Sequence, residues 1–405
     1  MTRPVRAPHP LAPIPLPQAA TDEVPIGFDE IFFSRTDGRG VIQAGNSVFR
    51  RVSGYDAGQL IGAPHRIVRH PIMPKAAFHL LWDRLRAGRP TGVHVCNRAI
   101  DGRAYWVFAV VVPIREGFLS VRIKPASATF RRVQEVYAEL LAAEADGATP
   151  AEGASALLAQ LSREGFSWYD SFQAQALAAE LACRAEETGL PAPGLGAALA
   201  ALRAADGIEA ELEAMRRMFR KAILITTNLR IVASRLEGGG RALSAIADNY
   251  ALLSDGMSRW IEQHRGGSLG IARSAAETLF LKGASLLLEE MSASFARDAE
   301  AGVGDPEAER GRLAEAAAHY RARAEDCSRR ALSDAADLGS HLAQMNHHVS
   351  ALGSIRMLSR IEGAVHRQSD SALDQIVAQL DSFQDELGAR LTRTTAHGRK
   401  VWAAA

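Results

Sequence analysis

The spacing of apolar positions changes near residue 125, and that change divides the chain. Ahead of it the apolar residues alternate with polar ones or run in short blocks, as in half-buried and buried strands. Ile31-Phe32-Phe33 and Val41-Ile42-Gln43 predict two strands, joined through the turn residues Thr36-Asp37-Gly38-Arg39-Gly40. Val93–Ile100, Ala104–Pro113 and Gly117–Lys124 predict three more, connected at Asp101-Gly102 and across Arg115-Glu116-Gly117. A helical segment separates the two groups. Asn46 suits the cap of a first helical turn, and Ser53-Gly54-Tyr55-Asp56 breaks it. Ala77, Phe78, Leu80, Leu81, Trp82 and Leu85 then recur at helical spacing between Pro74 and Gly88. The expected architecture is α+β: a five-stranded antiparallel sheet with a helical lid over one face.

Beyond Pro125 the helical period takes over, and from Phe130 onward Ala, Leu, Glu, Arg and Gln dominate, the composition of bundles and coiled coils. Gly147-Ala148-Thr149-Pro150 and Gly189-Leu190-Pro191-Ala192-Pro193-Gly194 interrupt it. Phe166, Trp168, Tyr169 and Phe172 stand between these breaks as helix-packing anchors. Leu212, Met215, Met218, Phe219 and Ile223 keep the period up to Gly238-Gly239-Gly240, and Leu243, Ile246, Tyr250, Leu253 and Met257 resume it. A triple glycine admits positive φ and removes helix propensity, so a helical hairpin with its tip near 238–240 is expected. Further helices are expected after Gly266-Gly267 and after Gly302–Pro306. The resulting division is a proline-rich arm (1–25), an α+β domain (26–126), a helical intermediate module (127–203) and an all-α helical bundle or coiled coil (204–405).

Composition narrows the classes open to this chain. Its 47 basic and 46 acidic side chains cancel to a formal charge of +1, which gives no global electrostatic case for nucleic acid. Cys96, Cys183 and Cys327 lack CxxC spacing, so neither a disulfide framework nor structural zinc is expected, and a reducing cytoplasm is the natural compartment. Pro4, Pro8, Pro10, Pro13, Pro15, Pro17 and Pro25 rule out a signal-peptide core in the arm. No apolar run approaches the roughly 20 residues of a membrane span, so no membrane insertion is expected. No P-loop or HExxH motif is present, and the chain is read as a non-enzyme.

The candidate chemistry lies in Pro64-His65-Arg66-Ile67-Val68-Arg69-His70-Pro71, where two histidines and two arginines fall in an otherwise apolar stretch. Buried polar groups need partners, which points to a ligand pocket. Arg69 is a fixed cation suited to phosphate, while His70 and Asn97 can donate to ring carbonyls or nitrogens. Trp82, Tyr105 and Trp106 suit a flat aromatic ligand.

These motifs carry a resemblance. Asn46-Ser47-Val48-Phe49, Ser53-Gly54-Tyr55, Leu60-Ile61-Gly62-Ala63-Pro64-His65, Val68-Arg69-His70-Pro71 and Met73-Pro74-Lys75-Ala76-Ala77-Phe78 are similar to the PAS domain of bacterial aerotaxis receptors. The match runs on through Asn97-Arg98, Tyr105-Trp106-Val107 and Ser120-Val121-Arg122, over residues 28–124. The resemblance implies a cup for flavin adenine dinucleotide (FAD), with Arg69 and His70 near the flavin or its phosphates, Asn97 at the isoalloxazine edge and Trp82 packed nearby. The candidate cofactor-binding set is therefore Arg69, His70, Asn97, Trp82, Asn46, Tyr105 and Trp106. Two positions depart from the family pattern: Ile72 replaces an acidic residue and Thr91 a tryptophan. Haem b is the competing cofactor, with His65, His70, His79, His94 and Cys96 as candidate axial ligands; a cofactor-free PAS and coiled-coil adaptor is the third reading. Gly240–Tyr250 is similar to the hairpin tip of methyl-accepting chemotaxis proteins, which implies a homodimer through the helical region and chemotaxis kinase or adaptor partners. The resemblances together imply a redox, oxygen or energy sensor.

Overall fold

The computed structural model describes residues 23–234, 240–297, 305–365 and 371–403. Nearly all of the proline-rich arm, and Gly238-Gly239 of the expected tip, lie outside the described residues. The chain divides into two compact units, one of residues 1–193 with 280–322 and the other of 194–279 with 323–405.

The first unit is built on five antiparallel strands: β1 (Phe32–Thr36), β2 (Ile42–Gly45), β3 (Thr91–Arg98), β4 (Ala104–Ile114) and β5 (Gly117–Ile123), in the order β2-β1-β5-β4-β3. The sheet closes across β1 and β5, whose pairing runs from Phe32↔Arg122 to Thr36↔Phe118. Gly117 permits this with φ of +138°, and a Cβ there would collide with the Thr36 carbonyl. Between β2 and β3 come the lid helices α1 (Ser47–Ser53) and α2 (Ala57–Leu60), a 3-10 turn (His65–Val68) and α3 (Lys75–Arg86). This is the PAS arrangement expected from the sequence, with a largely helical region after it.

Strand alternation gives the sheet two different faces. The lid covers one. Against the other pack α4 (Ala128–Ala145) and α6 (Tyr169–Thr188), with α5 (Pro150–Arg163) beside α3 and α4. The anchors of α6 are specific: Tyr169 donates its hydroxyl proton to the Gly92 carbonyl (2.8 Å), and the Gln173 amide oxygen accepts from Gly92 N–H (3.0 Å). Deeper along the helix, Glu180 is fully buried. Its carboxylate accepts from Ser127 Oγ (2.6 Å) and from the Ala126 and Ser127 amides (2.7 and 3.0 Å), and pairs with His94 Nε2 (2.8 Å). Burial alone would raise the Glu180 pKa, but the His94 hydrogen bond and charge, with the other donors, hold it below its usual value. The same face receives the end of α8 (Gly240–Arg297) and the start of α9 (Pro306–Val365): Phe33 meets Phe295 edge-on at 5.0 Å, Arg35 donates to Glu309 at 3.0 Å, and Arg184 forms a two-point pair with Glu290 at 2.6 Å.

In the second unit, α7 (Leu195–Ala233) packs along α10 (Ser371–Ala403). Phe383 stands against Phe219 (5.5 Å) and Tyr250 (6.2 Å), and Glu211 holds Arg390 and Arg393 at 2.8 and 2.6 Å. The sequence reading starts a new helix after Gly266-Gly267, but α8 runs through both glycines without a break. The buried face on either side, Ile261, Ser268, Ile271 and Ala272, outweighs an intrinsic cost of about 1 kcal/mol per glycine. Among the described residues no helix is long and apolar enough to cross a membrane.

Glu180 satisfies four donors at the junction of β3, the β5–α4 turn and α6, so Glu180→Ala should destabilise this unit by about 3 kcal/mol or more. Urea denaturation followed by circular dichroism tests this. The exposed neighbour variant Glu186→Ala should stay within about 0.5 kcal/mol of the parent.

Candidate functional site

The lidded face of the sheet encloses a cavity of about 610 Å³, within the size range of small-molecule and cofactor sites. Its floor follows from the strand period. Ser34 and Thr36 of β1, Ser120 and Arg122 of β5, and Val95 and Asn97 of β3 face it, while their chain neighbours point to the helical side. The roof is the 3-10 turn and α3, which bring His65, Arg69, Phe78 and Trp82 to the opposite wall.

The wall is one-sided in charge. Arg39, Arg66, Arg69, Lys75, Arg86 and Arg122 line it, and no aspartate or glutamate does. Arg39 and Arg86 are balanced at the rim by Asp37 (3.6 Å) and Asp83 (3.4 Å), which leaves Arg69 and Arg122 as the cations further in. Arg122 is buried. One terminal nitrogen donates to Ser34 Oγ (2.9 Å) and to His65 Nε2 (2.7 Å), and the other has no hydrogen-bond partner. Ser120 Oγ and Tyr105 Oη are also buried without partners. Burial pushes the Arg122 pKa down to about 10, and that of His65 to about 3, the second helped by the Arg122 charge. Accepting at Nε2 from a guanidinium requires a neutral imidazole with its proton on Nδ1. Three polar groups therefore stand unsatisfied around one buried cation, an arrangement that costs several kcal/mol without a polar ligand or water.

The seven sequence-derived site residues separate into two groups. Arg69, Asn97 and Trp82 are on the cavity wall. Arg69 and Asn97 form a β-bridge, the Arg69 guanidinium lies 4.1 Å from the Phe78 ring centroid and donates to the Met73 carbonyl (3.1 Å), and burial lowers its pKa. The Asn97 side-chain amide has no protein partner among the described residues, so both its donor and its acceptor remain available. Trp82 meets Phe118 edge-on at 5.6 Å and closes over Gly40, where a Cβ would sit 3.0 Å from the indole. His70, Asn46, Tyr105 and Trp106 are not on the wall. His70 Nδ1 accepts from the Ile72 amide (3.2 Å). Asn46 caps α1 and ties β1, with Oδ1 accepting from Phe49 and Phe33 N–H (3.1 and 3.0 Å) and Nδ2 donating to the Ile31 carbonyl (2.8 Å). Tyr105 stacks on Phe32 (6.1 Å) on the lidded face but outside the cavity lining, and Trp106 faces the helices, against Phe130 (5.3 Å) and Tyr137 (6.5 Å).

Of the haem-ligand candidates, His94 and Cys96 point to the helical face, and His94 is bound to Glu180. His65 and His79 do reach the cavity, each with a partner already, Arg122 and Asp83. Among the described residues no group of three potential metal ligands assembles. The two departures from the family pattern also have structural roles. Ile72 is buried apolar surface. Thr91 Oγ1 accepts from Arg84 Nε (3.2 Å), and Arg84 pairs with Asp170 of α6, so Thr91 helps join the lid helix to the helices beyond the sheet.

The His65 pKa sets a pH dependence. The folded value lies below the unfolded one, so the unfolded chain takes up the proton first, and stability present above about pH 6.5 is lost as pH falls toward about 3. Between pH 7.5 and pH 5 the ligand-free protein should lose about 2 kcal/mol through this group, read from urea midpoints, and His65→Gln should remove that part of the slope.

No family model matches the chain. A curated relative, the aerotaxis receptor of Escherichia coli (strain K12), is 38% identical over 129 residues, 31% of this chain and 26% of the receptor. The chain thus matches about a quarter of that relative's length. Solved structures with a similar sheet domain include the PAS domain of a Colwellia psychrerythraea protein (21% identity, 23% of this chain, 85% of that one, TM-score 0.21). The LOV domain of the Erythrobacter litoralis EL346 blue-light activated histidine kinase is another (15% identity, 23% and 90%, TM-score 0.21). The sheet domain of this chain is a PAS domain, similar to that of the aerotaxis receptor, and a largely helical region follows it.

Proposed function

We propose that the cavity binds a flavin, FAD, and that the protein is a cytoplasmic redox, oxygen or energy sensor relaying the state of that cofactor through its helices. The observation that carries this reading is the charge of the cavity, whose lining holds cations and no carboxylate. A dinucleotide brings an anionic diphosphate to complement Arg69 and the rim arginines. Its ring system suits the aromatic surfaces of Trp82 and Phe118, with the free Asn97 amide and the unpartnered nitrogen of Arg122 to satisfy ring carbonyls and nitrogens. The likeness to the aerotaxis receptor favours the same assignment. A bound flavin supplies a two-state redox reading; the protein's part is to hold it and respond.

A route for the response is built into the first unit. The lid helix α3 is tied to α6 through Arg84 and Asp170, and the Ala76 amide at its start donates to Glu144 of α4 (2.9 Å). A shift of α3 against the ligand therefore alters helix contacts beyond the sheet, provided the two ligand states bind the two arrangements with different affinity. For the helical region we propose a homodimer, supported by exposed Ile223, Leu224, Ile231 and Leu252 on α7 and α8, with chemotaxis kinase or adaptor proteins downstream. Haem b is the weaker reading, because both histidines on the cavity wall are already engaged. On this reading the protein is a receptor and not an enzyme.

Purified from flavin-replete cells, or reconstituted with FAD, the protein should be yellow and should bleach reversibly with dithionite. A preparation that stays colourless after reconstitution overturns the assignment, and a Soret band replaces it with haem. Arg69→Ala and Asn97→Ala should each weaken FAD binding by about tenfold or more, measured by fluorescence titration, whereas Arg259→Ala on the exposed face of α8 should not.

A further inference from the structure

A second, smaller cavity of about 260 Å³ lies in the first unit, between β3, α3 and the three helices α4 to α6. Its character is opposite to that of the first. Leu157, Leu161, Val133, Phe166 and Phe172 supply apolar and aromatic surface, and Arg132 meets Glu164 at the rim at 2.6 Å. The polar groups inside are nearly all spent. Tyr137 donates to the His94 carbonyl (3.1 Å) and Tyr169 to the Gly92 carbonyl (2.8 Å). One is left. His94 is on the wall with 1% of its surface exposed, its Nε2 is bound to Glu180, and its Nδ1 is buried with no hydrogen-bond partner.

An apolar cavity of about 150 Å³ is already large enough to hold benzene, so 260 Å³ accommodates one or two fused rings. The chemistry of the orphan nitrogen refines the class. With Nε2 engaged by Glu180, Nδ1 is the unengaged nitrogen of the ring, and it calls for a hydrogen-bonding group on the guest. We propose that this cavity is a binding site for a small uncharged aromatic molecule carrying one hydrogen-bonding group, such as a phenol or an indole. The site is coupled to the first by construction: Val93 lines both cavities, and successive residues of α3 face the two, Ala77 and Leu80 toward the second and Phe78 and Leu81 toward the first. A guest here bears on the shared wall and modulates ligand affinity in the first cavity.

The test uses the full chain, with phenol, indole and toluene as probes followed by calorimetry, and it does not depend on flavin because cofactor-free protein serves equally. Phenol and indole should bind at millimolar concentration or better, at least tenfold tighter than toluene. Leu157→Trp and, independently, Ala77→Leu should fill the cavity and abolish binding, with circular dichroism and the urea midpoint confirming that each variant is folded. Absence of phenol and indole binding, or binding retained in a folded filled variant, overturns the site. Equal affinity for toluene and phenol overturns the role of His94.

Discussion

A buried guanidinium without a carboxylate is the constraint on which the sensor domain turns. Arg122 sits under the lid with Ser34 and His65 as its partners and one nitrogen unanswered, and the burial that depresses its own pKa also holds His65 neutral. A folded domain tolerates such a cation only where something anionic or strongly polar completes it. The cavity lining holds no acidic residue, so on the proposed function that completion is the ligand's task. Beside these polar groups the same wall carries the aromatic surfaces of Phe78, Trp82 and Phe118, which on the proposed function suit a ligand with a flat body and negative groups.

The opposite face of the sheet solves a different problem. There most polar groups are paired within the protein, above all at Glu180, which gathers β3, the turn after β5 and α6 around one carboxylate. Alternation along β3 places Asn97 and Val95 toward the cavity and His94 and Cys96 toward the helices, so one strand is shared between the site and the helix junction. Thr91 and Arg84 extend this to the lid. On the proposed function, a change on the ligand side reaches the helix packing through these strand and lid positions, without requiring a flexible linker.

Much of the sensor domain was legible in the sequence, because strand alternation, Asn46 as a cap, Pro74 and Gly88 around α3 and Asp101-Gly102 are local signals with local causes. The site was legible in part. Attention to the histidines and arginines between Pro64 and Pro71 reached Arg69, while Arg122 was quoted only as part of a motif. The period of two in Ser120-Val121-Arg122, with polar residues on a face that should be core, was the available signal. Glu180 carried none, being one glutamate in an alanine-rich helix whose burial is set by strands more than 50 residues away. Trp106 and His94 were drawn toward the ligand because composition alone does not say which face of a strand looks inward. The unbroken helix through Gly266-Gly267 shows the complementary limit, where long-range packing overrides propensity.

The central claim is that the cavity ligand and the helices beyond the sheet form one coupled system. Hydrogen–deuterium exchange on the flavin-loaded protein, compared between oxidised and reduced states, tests it directly. The account predicts altered protection in α3 and β3 together with α6 around Asp170 and Glu180. A change confined to the cavity-lining segments, with α6 indifferent to the redox state, contradicts it.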